Sequence, residues 1–191
     1  MENISDADLK KIVDEVVSAL MRELPKNNSV PAAPSPIKEP EGIPDGKIVA
    51  IGADHGGFQL KETLKEYLSE NGYSVIDCGT NSSDSVDYPD FARAVAEQVK
   101  EGTAWRGIMI DGAGIGSCMA ANKVSGVRAA MCYDYSTAFN SREHNDANLL
   151  TLGAGLIGPN LAKQILSTFL ETDFGGDRHA RRVDKIMEIE K

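Results

Sequence analysis

Cysteine is scarce in this sequence. The 191 residues hold three, Cys78, Cys118 and Cys132, with no CxxC pair. An odd, widely spaced set argues against a disulfide framework or a structural zinc site and fits a reducing, cytoplasmic interior. Histidine is equally rare. His55, His144 and His179 form no HxH or HxxxH pair, so no metal site is expected. Positive charge is in deficit: the net charge is -9, which argues against nucleic acid as the main partner, because phosphate neutralisation needs a basic surface. No apolar run approaches the roughly 20 residues of a membrane helix. The N-terminus has neither the cationic start nor the apolar stretch of a secretory signal. What is present, 41% apolar and 26% charged residues, is globular composition. The length suits one ordinary domain plus an appendage.

Proline marks the boundary between the two. Six of eight prolines (Pro25, Pro31, Pro34, Pro36, Pro40, Pro44) fall within residues 25–44. That stretch has almost no large apolar side chains, so residues 25–46 read as an extended linker. Before it, Leu9, Ile12, Val13, Val16, Val17, Leu20 and Leu24 follow helical spacing over residues 1–24. Ser5 is a suitable N-cap, and Pro25 ends the helix. The opposite face mixes acids and bases, unlike a basic membrane-surface helix. An apolar stripe on a tethered helix needs a cover. It folds back on its own domain, pairs with its copy, or docks in a groove of another protein.

Residues 47–191 alternate strands and helices. Strands are expected at KIVAIG (47–52), SVIDCG, RGIMID, VRAAMC and NLLTLG. Helices are expected at FQLKETLKEYLSENG, at PDFARAVAEQVKEG with Pro89 in its first turn, after the GAGIG turn, before HNDAN, and over about 158–172 and 178–190. This order implies an α/β fold: a three-layer, doubly wound, Rossmann-like sheet of five parallel strands. Ligands then belong at the carboxyl ends of the strands.

Chemically loaded segments follow the elements. Asp54-His55-Gly56-Gly57 follows the first strand, and Asp111-Gly112-Ala113-Gly114-Ile115-Gly116-Ser117-Cys118 the third. His144-Asn145-Asp146 follows the fourth helix of the domain, and all three segments are expected to meet at the upper edge of the sheet. Backbone N–H groups of a glycine turn opening a helix suit a phosphate or a developing oxyanion, although such turns also serve tight packing alone. Arg178 and Arg182 share a helix face at i, i+4, which suits a phosphate or a solvated basic patch.

The segments GADHGGFQLK, DSVDYPDFA, GAGIGSCMAANK, GVRAAMC, SREHNDAN and DRHARRVDKI occur in this order. Together they resemble the type B ribose-5-phosphate isomerase and galactose-6-phosphate isomerase family over about three quarters of the chain. The resemblance implies aldose–ketose isomerisation of a sugar phosphate without metal or cofactor. It also implies a homodimer with two shared sites, or a tetramer. By residue, Asp54 and His55 would bind sugar hydroxyls, with Tyr88 at the pocket edge. Gly112, Ala113, Gly114, Ile115 and Gly116 would stabilise an enediolate through backbone N–H groups. His144 would assist ring opening from the partner subunit, Asn145 would hold a hydroxyl or the enediolate, and Arg178 and Arg182 would grip the phosphate.

Three departures qualify that expectation. Many family members carry a cysteine base where Asp111 stands. A carboxylate can make the same proton transfer, which puts Asp111 ahead of Cys118, a thiol equally suited to core packing. Gly155 replaces an arginine of many relatives. The N-terminal helix and linker resemble the encapsulation peptides of bacterial microcompartment cargo enzymes, which bind shell proteins through an apolar face. Two classes of function stand: an isomerase of ribose 5-phosphate (or of galactose or allose 6-phosphate), and a catalytically weakened subunit that binds sugar phosphate.

Overall fold

The computed structural model describes residues 47–190 and, before them, only Glu15, in helical conformation. The helix expected over 1–24 and the linker over 25–46 otherwise lie outside the described residues.

The strands are β1 (Ile48–Ala53), β2 (Ser74–Asp77), β3 (Arg106–Asp111), β4 (Ala129–Met131) and β5 (Leu149–Gly153). The helices are α1 (Phe58–Glu70), α2 (Tyr88–Lys100), α3 (Ile115–Ala121), α4 (Tyr135–Glu143), α5 (Pro159–Glu171) and α6 (Asp177–Glu188). All strands are parallel, in the order β2-β1-β3-β5-β4. The five-stranded Rossmann-like sheet expected from the sequence is therefore present.

Strand composition sets this order. IVAIGA, RGIMID and LLTLG are almost wholly buried, as central parallel strands covered on both faces must be. SVID and AAM are only half-buried and take the two edges. Alternation then assigns the faces. Val49, Ile51, Ile108, Ile110, Leu150 and Leu152 pack with Leu60, Leu64 and Leu68 of α1 and Ile165, Leu166 and Phe169 of α5. Ala50, Met109 and Leu149 meet Ala92, Val95 and Ala96 of α2 and Ala121 of α3. At about 25 cal/mol per Å² of apolar surface removed from water, these two layers are the main stabilising term.

One charge crosses the pattern. Lys61 in α1 is fully buried, and its Nζ donates to both carboxylate oxygens of Asp77 at 2.7 and 2.8 Å. Burial alone would raise the Asp77 pKa, but donors from Lys61, Lys65 and the Gly79 N–H hold it below its ordinary value. The pair ties the end of β2 to α1. Gly79 in turn pairs with β1: its C=O accepts the Ala53 N–H at 2.7 Å, directly before Asp54.

β1 is flanked by β2 on one side and β3 on the other, so the chain leaves their carboxyl ends in opposite directions. That divergence opens a crevice between the loops after β1 and β3. Among the described residues no helix is long and apolar enough to cross a membrane.

Candidate active site

Three segments converge at the carboxyl edge. The loop after β1 lies directly on β3: a Cβ at Gly57 would stand 2.3 Å from the Ile110 carbonyl oxygen. A Cβ at Gly56 would stand 3.3 Å from Asp54 Oδ1 and 3.5 Å from the Gly112 nitrogen. The Asp54 carboxylate and the Gly112 amide therefore flank one small space, left open because residue 56 has no side chain. Tyr88, in the first turn of α2, covers the glycine turn, and a Cβ at Gly116 would meet its ring and hydroxyl at 2.5–2.7 Å. His55 Nδ1 lies 3.3 Å from the Val86 nitrogen and 3.2 Å from its carbonyl oxygen, accepting from the one or donating to the other according to its tautomer.

Asp111 builds the turn. Its Oδ1 accepts the N–H groups of Ala113, at 2.7 Å, and of Gly114. Its Oδ2 accepts the Ser117 N–H at 3.1 Å and the Ser117 hydroxyl. Gly114 takes the left-handed conformation this needs, with φ of 79°, and its C=O accepts the Thr151 hydroxyl at 2.8 Å. With Ala113, Gly114 and Ser117 turned inward to the carboxylate, the N–H groups of Gly112, Ile115 and Gly116 find no acceptor among the described residues. These are the donors available to an oxyanion.

Cys118 faces away from this turn. Its Sγ lies 3.4 Å from the Ala129 carbonyl oxygen, beside the edge strand β4, and burial raises its pKa. A half-buried thiol held neutral in this way is a poor base at neutral pH.

His144 and Asn145 are not at the carboxyl edge, contrary to the sequence expectation that all three segments meet there. A helix that follows a parallel strand runs back to the other edge, so α4 ends where β5 begins. Contacts to the first residues of the strands fix this. Arg128, just before β4, donates to Asp146 at 3.0 Å, and its N–H to Asn148 Oδ1 at 2.7 Å. α6 starts at the same edge, because the Gly175 N–H donates to the Glu143 carbonyl at 2.9 Å. The His144 ring stacks on His179, centroids 4.3 Å apart and planes within 5°, and His144 Nε2 lies 3.0 Å from Glu143 Oε2. Asn145 Nδ2 donates to the Asn140 carbonyl at 3.2 Å. Arg178 Nε lies 3.3 Å from His179 Nε2. The His179 pKa is lowered, first by desolvation and then by His144, Arg178 and Arg182. Arg178 and Arg182 are exposed.

The fold thus holds two chemical clusters, one at each edge of the sheet. The carboxyl edge carries carboxylates and free amides, and the amino edge carries imidazoles and guanidiniums. A family model described as ribose/galactose isomerase matches residues 49–186.

The chain belongs to the ribose/galactose isomerase family.

Ribose-5-phosphate isomerase B of Escherichia coli is 44% identical over 145 residues, covering 76% of this chain and 97% of that protein. The D-erythrulose-4-phosphate isomerase of Pectobacterium atrosepticum is 42% identical over 139 residues, covering 72% and 91%. The solved structure of Clostridium thermocellum ribose-5-phosphate isomerase B is 53% identical, with a TM-score of 0.74, covering 75% of this chain and 97% of that one.

Within this family fold, two residues at the clusters were named in the sequence but given no role there. Ser117 is fully buried against Asp111, and nothing local distinguishes it from a helix N-terminal serine. His179 pairs with a histidine 35 positions earlier, and its only sequence signal was its place between arginines in DRHARR.

Proposed function

We propose that this chain interconverts an aldose phosphate and its ketose through an enediolate, with ribose 5-phosphate and ribulose 5-phosphate as the pair. The observation that carries this reading is the split between the two clusters. β3 has six residues, so its ends stand about 17 Å apart, and one chain cannot bring both clusters to one sugar. A second copy can. Exposed apolar side chains border both clusters: Ile115, Met119, Tyr133, Tyr135 and Leu156 near the carboxyl edge, Ile186 and Ile189 near the amino edge. An isologous dimer that joins one edge to the other does so twice and completes two sites.

In such a site the groups divide the work. Arg178 and Arg182 of one copy hold the phosphate. His144 moves the proton that opens the sugar ring, and Asn145 holds a hydroxyl. Asp54, His55 and Tyr88 of the other copy bind the open chain. The N–H groups of Gly112, Ile115 and Gly116 stabilise the negative oxygen of the enediolate. The proton between C2 and C1 needs a base at the carboxyl edge, where Asp111 and Asp54 both stand.

Purified protein tested on ribose 5-phosphate, and in parallel on galactose and allose 6-phosphates, decides the reading. Turnover of the pentose phosphate first among them supports it. Sugar-phosphate binding without turnover of any substrate makes the chain a binding subunit instead. Arg178→Ala and Arg182→Ala are each expected to raise KM by about one to two orders of magnitude, matching the roughly 1.5–3 kcal/mol of a hydrogen bond to a charged group. Unchanged KM in both removes α6 from the site.

Residues 1–24 are proposed to carry the enzyme into a bacterial microcompartment by docking on a shell protein. The apolar stripe and its proline-rich tether support this, as does the start of the family match only at residue 49. Residues 1–46 fused to a fluorescent protein are expected to form puncta in cells that make shells. A diffuse signal there argues against targeting.

A further inference from the structure

We infer that Asp54, rather than Asp111 or Cys118, is the base that carries the proton between C2 and C1. The inference rests on the isomerase reading and concerns which group does its central step.

A carboxylate has about four lone-pair sites. At Asp111 four donors take them: the N–H groups of Ala113, Gly114 and Ser117 and the Ser117 hydroxyl. All four belong to the turn that Asp111 itself closes. To accept a carbon-bound proton, Asp111 would have to surrender one of them, and the turn would loosen as the enediolate forms. Its role is to aim the free N–H groups of the turn outward. Cys118 fails on direction, since its thiol lies against the Ala129 carbonyl beside β4.

Asp54 differs in both respects. It accepts one hydrogen bond, from the Gly57 N–H at 2.9 Å on Oδ1, and keeps the rest of its lone pairs. It is nearly buried, at 7% exposure, so little water competes for them. The absent side chain of Gly56 leaves a space with Asp54 on one side and the unpaired Gly112 N–H on the other. A carbonyl oxygen seated on that N–H places the neighbouring carbon beside the carboxylate, as a base and an oxyanion donor must be arranged. The frame is rigid: the Asp54 N–H donates to the Ile110 carbonyl at 3.1 Å, and the preceding Ala53 is bonded to Gly79 and Thr80.

The step balances within the sugar. Asp54 removes the proton from C2, the C–H electron pair becomes the C1=C2 double bond, and the aldehyde π pair moves onto O1. The same carboxylic acid returns its proton to C1. The O2–H proton leaves to O1, and its electron pair closes the C2 carbonyl. No external oxidant or reductant takes part.

Two measurements on the full chain test this, both in heavy water with ribose 5-phosphate. Asp54→Asn is expected to lower kcat by about 10³-fold, with KM within about threefold, and to stop deuterium entry at the exchanging carbon. Asp111→Asn is expected to raise KM and lower the melting temperature while deuterium still enters. Deuterium entry that survives in Asp54→Asn and vanishes in Asp111→Asn overturns the assignment and leaves the isomerase reading intact. Absence of turnover in the unmodified protein, on every aldose phosphate, overturns the isomerase reading and the assignment with it. Should Asp54→Asn fail to fold, an epoxide analogue, a 1,2-anhydropentitol 5-phosphate, labels the base of the unmodified enzyme. An ester mapped to Asp54 supports the inference, and a label on Asp111 or Cys118 overturns it.

Discussion

Equal amounts of two inactive variants, Asp54→Ala and His144→Ala, are expected to recover about a quarter of wild-type activity once their chains have reassorted. Each variant alone lacks one half of every site. Random reassortment makes half of the dimers mixed, and a mixed dimer has one site with both halves intact and one with neither. The expectation follows from topology: Asp54 follows the carboxyl end of β1, and His144 precedes the amino end of β5. Differently tagged chains, copurified through both tags, isolate the mixed dimer, whose activity should approach half of wild type. A mixed dimer with no activity would mean that each chain completes its own site, and the two-copy reading would fall.

Gly57→Ala is expected to destabilise the domain by about 3 kcal/mol or more, among the larger effects of a single methyl group. The added carbon would lie 2.3 Å from the Ile110 carbonyl oxygen, 2.7 Å from its carbon and 2.8 Å from Ile110 Cγ2. Two of these atoms are backbone of a central strand, which cannot rotate away. The loop after β1 would have to lift from β3, carrying Asp54 and His55 with it. The melting temperature should fall by about 6–12 °C, and activity should fall more than stability alone explains. Gly158→Ala is the control. Its added carbon meets nothing within 4 Å and φ is -83°, and the unfolded-state gain of alanine is offset by its weakness as the N-cap of α5, so thermal melts should place it within about 1 kcal/mol of wild type. A Gly57→Ala protein as stable as that control would show that the close approach of loop and strand is not maintained in solution.

Much of this architecture is written locally. Short continuous apolar runs in IVAIGA and RGIMID, and period-four spacing of Leu60, Leu64 and Leu68, need no partner in view to be read as strand and helix. The near absence of polar side chains in the first, third and fifth strands marks them as central, and Pro89 and Pro159 mark helix starts. That Asp54, Asp111 and the glycine turn share one edge was likewise legible, because strand ends in a parallel sheet share an edge by construction.

Other facts depended on which distant residues meet. Lys61 reads as a solvated helix charge, yet it is fully buried, because its partner Asp77 arrives from the next strand. Asp111 reads as an open carboxylate, and only the folded turn supplies four donors to it. The sequence determined that this protein is a five-stranded parallel sheet with glycine turns and acids at its carboxyl edge, since those patterns are set by neighbours a few residues apart. The tertiary structure alone decided that His144 and His179 stack at the opposite edge. The reason is geometric: each helix returns antiparallel to its strand, so a residue's edge depends on which end of the helix it occupies.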